Sequence, residues 1–168
     1  MTNNVMVKPS GVSWNELKEQ ATVLLKTGFL PPSLHTPEQV IAVVLVGKEL
    51  NIPMMESIRG INVIQGKPAV SPQLMLALAH RTGQLENIKI ETSMEGALVE
   101  ITRKGKAPHT ERFGPMEATA LGVFGKDNYK KQPATMFKWR ALAAALRVTF
   151  HDAISGLYSW DEMNAPVT

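Results

Sequence analysis

The stretch NIKIETSMEGALVEITRKGKAPHTERF, residues 87–113, decides the fold. Apolar and polar residues alternate in two short runs, NIKIET and ALVEITR, and a third run lies near His109 to Phe113. Met94-Glu95-Gly96 and Lys104-Gly105-Lys106 separate the runs with residues suited to tight turns. A period of two turns alternate side chains to opposite faces, so the pattern predicts a three-stranded antiparallel meander.

Working outward toward the C-terminus, Pro115 starts a short helix, Met116 to Leu121, that Gly122 stops. The segment GKDNYKKQP reads as a polar, basic loop, and Pro133 opens PATMFKWRALAAALRVTF (133–150), a run of strong helix formers. The end, GLYSWDEMNAPVT, predicts a short helix around Tyr158 to Met163. Toward the N-terminus, Ser71-Pro72 begins a helix that ends at Thr82-Gly83. Before it, IRGINVIQGKPAV (58–70) predicts a hairpin turning at Gln65-Gly66, with Arg59 and Lys67 on it. Two capping boxes, Ser13 with Glu16 and Thr36 with Gln39, open two further helices. Gly28 stops the first, and the second runs to about Asn51. Its middle, VIAVVLV, is β-branched, but the signals at both ends favour a buried helix over a strand. Strands set among about five helices, with no linker between them, predict one α+β domain over residues 1–168.

Composition narrows the function classes. The chain has 168 residues, 44% apolar and 20% charged, which suits a globular domain with a true core rather than a disordered one. No apolar run is long enough to span a bilayer, and the start lacks the layout of a secretory signal. With no Cys there is neither a disulfide framework nor a thiolate metal site, and a soluble, cytoplasmic protein is expected. His35, His80, His109 and His151 are scattered, so no metal site is expected. Gly60 to Gly66-Lys67 looks superficially like a phosphate-binding loop, but the spacing is one residue too long and Pro68 stands where Ser or Thr would hold magnesium. His151-Asp152 reads as a cap near the end of the long helix, and Glu16, Glu19, Asp161 and Glu162 as ordinary charge at helix ends. No enzymatic activity and no cofactor are expected.

Charge is unevenly distributed. Residues 103–147 hold ten basic and three acidic side chains, a net of +7 within a chain whose total is +3. Such a segment suits either a polyanion partner or a solvated basic face that docks an acidic protein. On the long helix, Arg140 and Arg147 are two turns apart on one face, about 10 Å along the axis, a spacing that phosphates fit. Ala143 and Ala144 between them are small enough to let a strand's backbone approach. Lys138 points elsewhere and serves a different contact. Tyr129, Phe137 and Trp139 are interleaved with Lys130, Lys131, Lys138 and Arg140, the arrangement of a stacking groove; for Phe137 and Trp139 a core role is the stronger reading, and Tyr129 is the more open.

Three stretches together resemble the RecT/Bet family of phage-type single-strand annealing recombinases. They are VVLVGKELNIPMMESIRGINVIQGKPAVSPQLMLALAHRTG (43–83), FGPMEATALG (113–122) and KQPATMFKWRALAAALRVTFHDAISGLYSWDEM (131–163). The resemblance covers about residues 36–163 and is carried by the order of Pro133, Met136, Arg140, Ala141, Arg147, Gly156, Leu157, Tyr158, Asp161 and Glu162. It implies ATP-independent binding of single-stranded DNA and annealing of complementary strands, by a ring or helical filament of identical copies. The helix at about 13–28 would serve oligomer contacts. The implied DNA-binding set is Arg140 and Arg147 on the backbone, with Lys138, Lys130, Lys131, Lys126 and Tyr129 beside them, and Arg59 and Lys67 as an opposite wall. The Ala134 and Thr135 positions are basic in some relatives and neutral here. Family members also carry a C-terminal segment that engages the host single-strand binding protein or a partner exonuclease.

Overall fold

Local signals at the chain's turns account for most of the architecture. The computed structural model describes residues 12–160, 162 and 163. The first helix, α1 (Trp14–Lys26), opens on a complete capping box between Ser13 and Glu16, and α2 (Pro37–Glu49) on the equivalent box between Thr36 and Gln39. A third helix, α3 (Met54–Gly60), runs directly into the hairpin of β1 (Ile61–Ile64) and β2 (Lys67–Val70). Gln65 and Gly66 turn that hairpin with φ of 51° and 75°, the pair of positive values that a type I′ turn requires. Next come α4 (Pro72–Arg81), capped by the Ser71 hydroxyl, and the meander β3 (Leu85–Ser93), β4 (Gly96–Arg103) and β5 (His109–Phe113). The chain then forms α5 (Pro115–Ala120), α6 (Asp127–Lys131), α7 (Pro133–Thr149) and the two-residue strand β6 (Tyr158–Ser159).

The described residues thus form an α+β fold of seven helices and two three-stranded sheets, ordered β1-β2-β6 and β3-β4-β5. The meander is antiparallel throughout, as its alternation predicts. Three expectations are corrected. Arg59 stands on α3, not on the hairpin, because the Ile58-Arg59-Gly60 segment completes a helical turn that buries Ser57 and Ile58. The basic loop contains α6, a single turn that packs Tyr129 inward. Residues 158–159 form a strand parallel to β2 instead of a helix, pairing Tyr158 with Ala69 and Ser159 with Val70. Asp161 lies outside the described residues.

The core is one continuous cluster with α7 at its centre. Ala97, Val99 and Ile101 of β4 and Phe113 of β5 present one face of the meander to Phe137, Ala141, Ala145 and Leu146 of α7. Elsewhere α2 and α3 pack against β1 of the hairpin and α1 packs on α2, and Val40, Val43, Val44 and Ile58 are fully buried there. The β-branched middle of α2 is therefore helical, but buried on one side only: Val40, Ile41, Val43 and Val44 are buried while Ala42 and Leu45 are exposed. Gly47 explains how closely α2 and α3 approach, since a Cβ at that position would fall inside the Ser57 side chain. Ser57 is itself buried, and its hydroxyl donates to the Pro53 carbonyl at 2.9 Å.

The C-terminal end of α7 is capped from across the sheet. Arg103 Nη1 donates to the Thr149 carbonyl at 3.0 Å, and the same guanidinium forms a two-pronged pair with Asp152 at 2.7 and 2.8 Å while lying 4.9 Å from the Phe150 ring centre. The helix end is thus served by Arg103 rather than by the His151-Asp152 pair, whose carboxylate instead holds the arginine in place. A cation is the expected partner for the negative end of a helix.

Two predictions follow from this packing. Gly47→Ala should lower unfolding free energy by about 2 to 3 kcal/mol through overpacking, measured by urea titration, and adding Ser57→Gly should recover part of the loss. The hydrogen bonds and charge of Arg103 hold the Asp152 carboxyl down at about 2 against an ordinary 3.8. The folded state therefore favours the carboxylate, and the contribution is complete above the ordinary value and fades as pH falls toward 2. Asp152→Asn should lower the thermal midpoint at neutral pH, with the gap to the unmodified chain closing between pH 4 and pH 2.

Candidate functional site

Phe137 and Arg140 stand one turn apart on α7, and the elements packed on that face decide what each can do. Phe137 is fully buried at the centre of an aromatic group, with ring centres 6.3 Å from Phe113, 6.3 Å from Phe124 and 6.2 Å from Tyr129. Arg140 is enclosed with them at 6% exposure. Its Nε donates to the Tyr129 hydroxyl at 3.1 Å, and its guanidinium lies 5.5 Å from the centre of the Phe113 ring. Tyr129 is buried as well, at 3%. Arg140 and Tyr129, expected to contact DNA, are thus both enclosed, with α6 and β5 packed over that stretch of the helix. Of the two small residues between the arginines, Ala143 is buried and Ala144 is half-buried.

The other predicted residues are spread over several surfaces. Arg147 is partly exposed, but Nη1 sits 2.9 Å from Glu162 Oε1 and the guanidinium lies 4.0 Å from the centre of the Tyr158 ring. Lys126 is the half-buried N-cap residue of α6. Lys130 and Lys131 project from α6 into solvent, Lys131 3.7 Å from Asp127 one turn earlier. Lys138 is half-buried with its ammonium 4.3 Å from the Trp139 ring centre. Arg59 is exposed on α3, where Nε donates to the Met55 carbonyl at 3.3 Å, and Lys67 is exposed at the start of β2. The basic segment does not form one patch. Lys130 and Lys131 precede the start of α7, whereas Lys104 and Lys106 follow Arg103 at its far end, about 25 Å away for a helix of 17 residues.

One open groove does gather residues of the predicted type. It has a volume of about 530 Å³ and lies between the first turn of α4, α6, the first half of α7 and the chain just past β6. Trp139 and Trp160 line it together with Lys131, its acidic neighbour Asp127 and the polar side chains of Gln73, Asn128, Gln132 and Thr135. Both indoles are half-buried, so each is anchored on one side and presented on the other. Trp160 is fixed by Nε1 donating to the Ala69 carbonyl at 3.0 Å and by its backbone N–H donating to the Val70 carbonyl at 3.2 Å. Thr92 Oγ1 donates to the Ala134 carbonyl at 2.9 Å, fixing the start of α7 against β3. Neither Arg59 nor Lys67 lines this groove.

Trp160 is the residue that the sequence reading missed. It reaches the groove only because β6 pairs with β2, and a parallel bridge of two residues between distant segments leaves no periodic signal. Trp139, read mainly as a core residue, is shared between core and groove. Among the described residues no three His, Asp or Glu side chains converge on a point that could hold a metal ion, and no helix is long and apolar enough to cross a membrane.

Burial separates the basic residues by role, and unfolding measurements should show it. Arg140→Ala should cost about 2 to 4 kcal/mol, because it empties buried space against Phe113 and removes the donor to the Tyr129 hydroxyl, and Tyr129→Phe about 1 kcal/mol. Lys130→Gln should stay within about 0.5 kcal/mol of the unmodified chain, as befits an exposed side chain.

Comparison of the sequence with protein-family models finds no match, and comparison with curated proteins finds no relative.

Proposed function

We propose that this protein binds single-stranded DNA without ATP and anneals complementary strands, the activity that its resemblance to the RecT/Bet recombinases implies. What carries this reading is the groove in which two tryptophans from distant parts of the chain stand beside Lys131 and the Asp127 it faces, with Lys130 at the preceding position of the same helix, exposed to solvent. Aromatic faces accept any base by stacking, and lysines neutralise phosphates without reading sequence. Polar amides and hydroxyls of Gln73, Asn128, Gln132 and Thr135 supply further donors for phosphate or sugar oxygens. A strand bound in this way keeps its base-pairing edges free for a second strand. The DNA-contacting set on this reading is Lys130, Lys131, Trp139 and Trp160, with Lys138 adding charge next to the indole; Arg140 and Tyr129 hold the wall from inside.

Assembly of several copies belongs to the same proposal. Support for it comes from large apolar side chains left in water near the N-terminal helix, with Trp14, Val23 and Phe29 each more than half exposed. Burial of such residues against another copy removes apolar surface from water.

The deciding experiment follows the annealing of two complementary fluorescent oligonucleotides, without ATP, across a salt series. The chain should accelerate annealing, and the acceleration should fade as salt rises. Replacing Lys130 and Lys131 together by Gln should slow it and lower the salt slope of strand binding by about 0.7 for each lost phosphate contact, with the thermal midpoint unchanged. No acceleration at low salt would reject the reading, and binding to an acidic protein unaffected by competing DNA would put a protein-docking role in its place.

A further inference from the structure

Resting on that proposed function, the geometry points to Arg147 as a positioning residue that sets the Trp160 wall of the groove through Glu162, and not as a ligand of the DNA backbone. The residues after the long helix form a strap over the hairpin sheet. Its ladder to β2 has only two residue pairs, too short to hold a strand by itself. Two hydrogen bonds from Trp160 to the Ala69 and Val70 carbonyls extend that ladder, and the side-chain restraints on the far side of the tryptophan converge on Glu162. One carboxylate oxygen accepts from Arg147 Nη1 at 2.9 Å and the other accepts from the Ser159 N–H at 2.8 Å, while the Glu162 N–H donates back to the Ser159 hydroxyl at 3.3 Å. Ser159 is fully buried, and the Glu162 side chain is only 13% exposed. Tyr158 covers the guanidinium from one side, its ring centre 4.0 Å away.

Trp160 sits inside this closed loop, between Ser159 and Glu162, and its indole forms part of the groove wall. Arg147 thus grips the strap on both sides of the tryptophan. A phosphate could take Nη1 only by displacing a sheltered carboxylate whose second oxygen is already committed to the backbone. Leaving that carboxylate without its cation is unfavourable, because a largely buried charge then has no counterpart. On Nη1, Glu162 already occupies the place that a phosphate oxygen would take.

A residue that binds the DNA backbone loses affinity together with salt dependence when it is removed, and removal of the acid that competes for it strengthens binding. A positioning pair behaves differently: loss of either partner loosens Trp160 and weakens binding, while the number of phosphate contacts stays the same. The test measures binding of a fluorescein-labelled oligo-dT over a salt series for the full chain and for Arg147→Ala, Arg147→Lys and Glu162→Gln. Alongside it, the emission of Trp160 is recorded in the free protein, in a background in which Trp14 and Trp139 are replaced by Phe. Glu162→Gln keeps the side chain's size, so it provides an arm in which folding is preserved.

The expected result is that Arg147→Ala and Glu162→Gln both shift Trp160 emission to the red and both weaken binding, by roughly tenfold if one stacked base is lost, with the salt slope unchanged. Arg147→Lys, which keeps a cation for Glu162, should recover part of the binding and of the emission. The assignment is overturned if Glu162→Gln tightens binding, if Arg147→Ala lowers the slope by about 0.7, or if Trp160 emission is the same in all variants. Should the unmodified chain fail to bind oligo-dT, the DNA reading falls, and emission in the free protein alone decides whether Arg147 positions Trp160.

Discussion

The burial of α7 on nearly every side is the constraint from which the rest of the molecule follows. A helix in that position must be narrow where other elements cross it, and the alanines at 141, 143 and 145 make it so, each almost wholly buried. It must also be held in axial register, since an apolar helix can slide along an apolar sheet with little penalty. Two polar ties to the meander prevent this: Thr92 reaches the carbonyl of Ala134 near the start, and Arg103 reaches that of Thr149 at the end. Both use carbonyl groups against side chains fixed on strands, and a hydrogen bond is lost if the helix shifts by one residue. Because α7 is fixed at both ends, Trp139 has one position relative to α4 and α6, and a groove can form beside it.

Much of the fold is legible in the sequence because its signals are local. Capping boxes at Ser13 and Thr36, the Gln65-Gly66 turn and the alternation through residues 87–113 each involve residues only a few positions apart. Where the reading fails, a distant contact outweighs a local preference. Ile58 favours a strand by propensity, but the segment completes α3 because Ser57 packs against Gly47 of α2. Tyr129 appears to belong to a polar loop, yet a one-turn helix carries it into the aromatic group around Phe137. The two-residue β6 depends on β2, about ninety positions earlier, and nothing within the tail announces that partner.

The candidate site shows the same division. Sequence spacing puts Arg140 and Arg147 on one face of the helix, and that spacing is sound, but spacing says nothing about which side of the helix the protein itself covers. Arg140 meets Tyr129 and Phe113, Arg147 meets Glu162 and Tyr158, and Arg103 meets Asp152 and Phe150. Each guanidinium thus has a ring beside it and a fixed oxygen acceptor ahead of it. This is the chemistry of a flat, weakly hydrated cation whose faces favour aromatic surface and whose edge favours directed acceptors. Arginine on a helix next to aromatics is consequently as strong a signal for an internal clasp as for a phosphate site.

Lysine follows the opposite logic. Its compact, strongly hydrated ammonium is expensive to enclose, and Lys130, Lys131, Lys104 and Lys106 all project into solvent. A strand that slides, exchanges and pairs is served better by such charges than by arginine forks, because a hydrated point charge attracts phosphate without fixing its orientation. The tryptophans complement this in the groove, since a ring face accepts any base and makes no demand on the pairing edge. If a single strand occupies the groove as proposed, the arginines hold the walls and the lysines hold the strand, and neither contact competes with a complementary strand for the base edges. Annealing then requires nothing further from the protein than to keep those edges presented, because base pairing itself supplies the driving free energy.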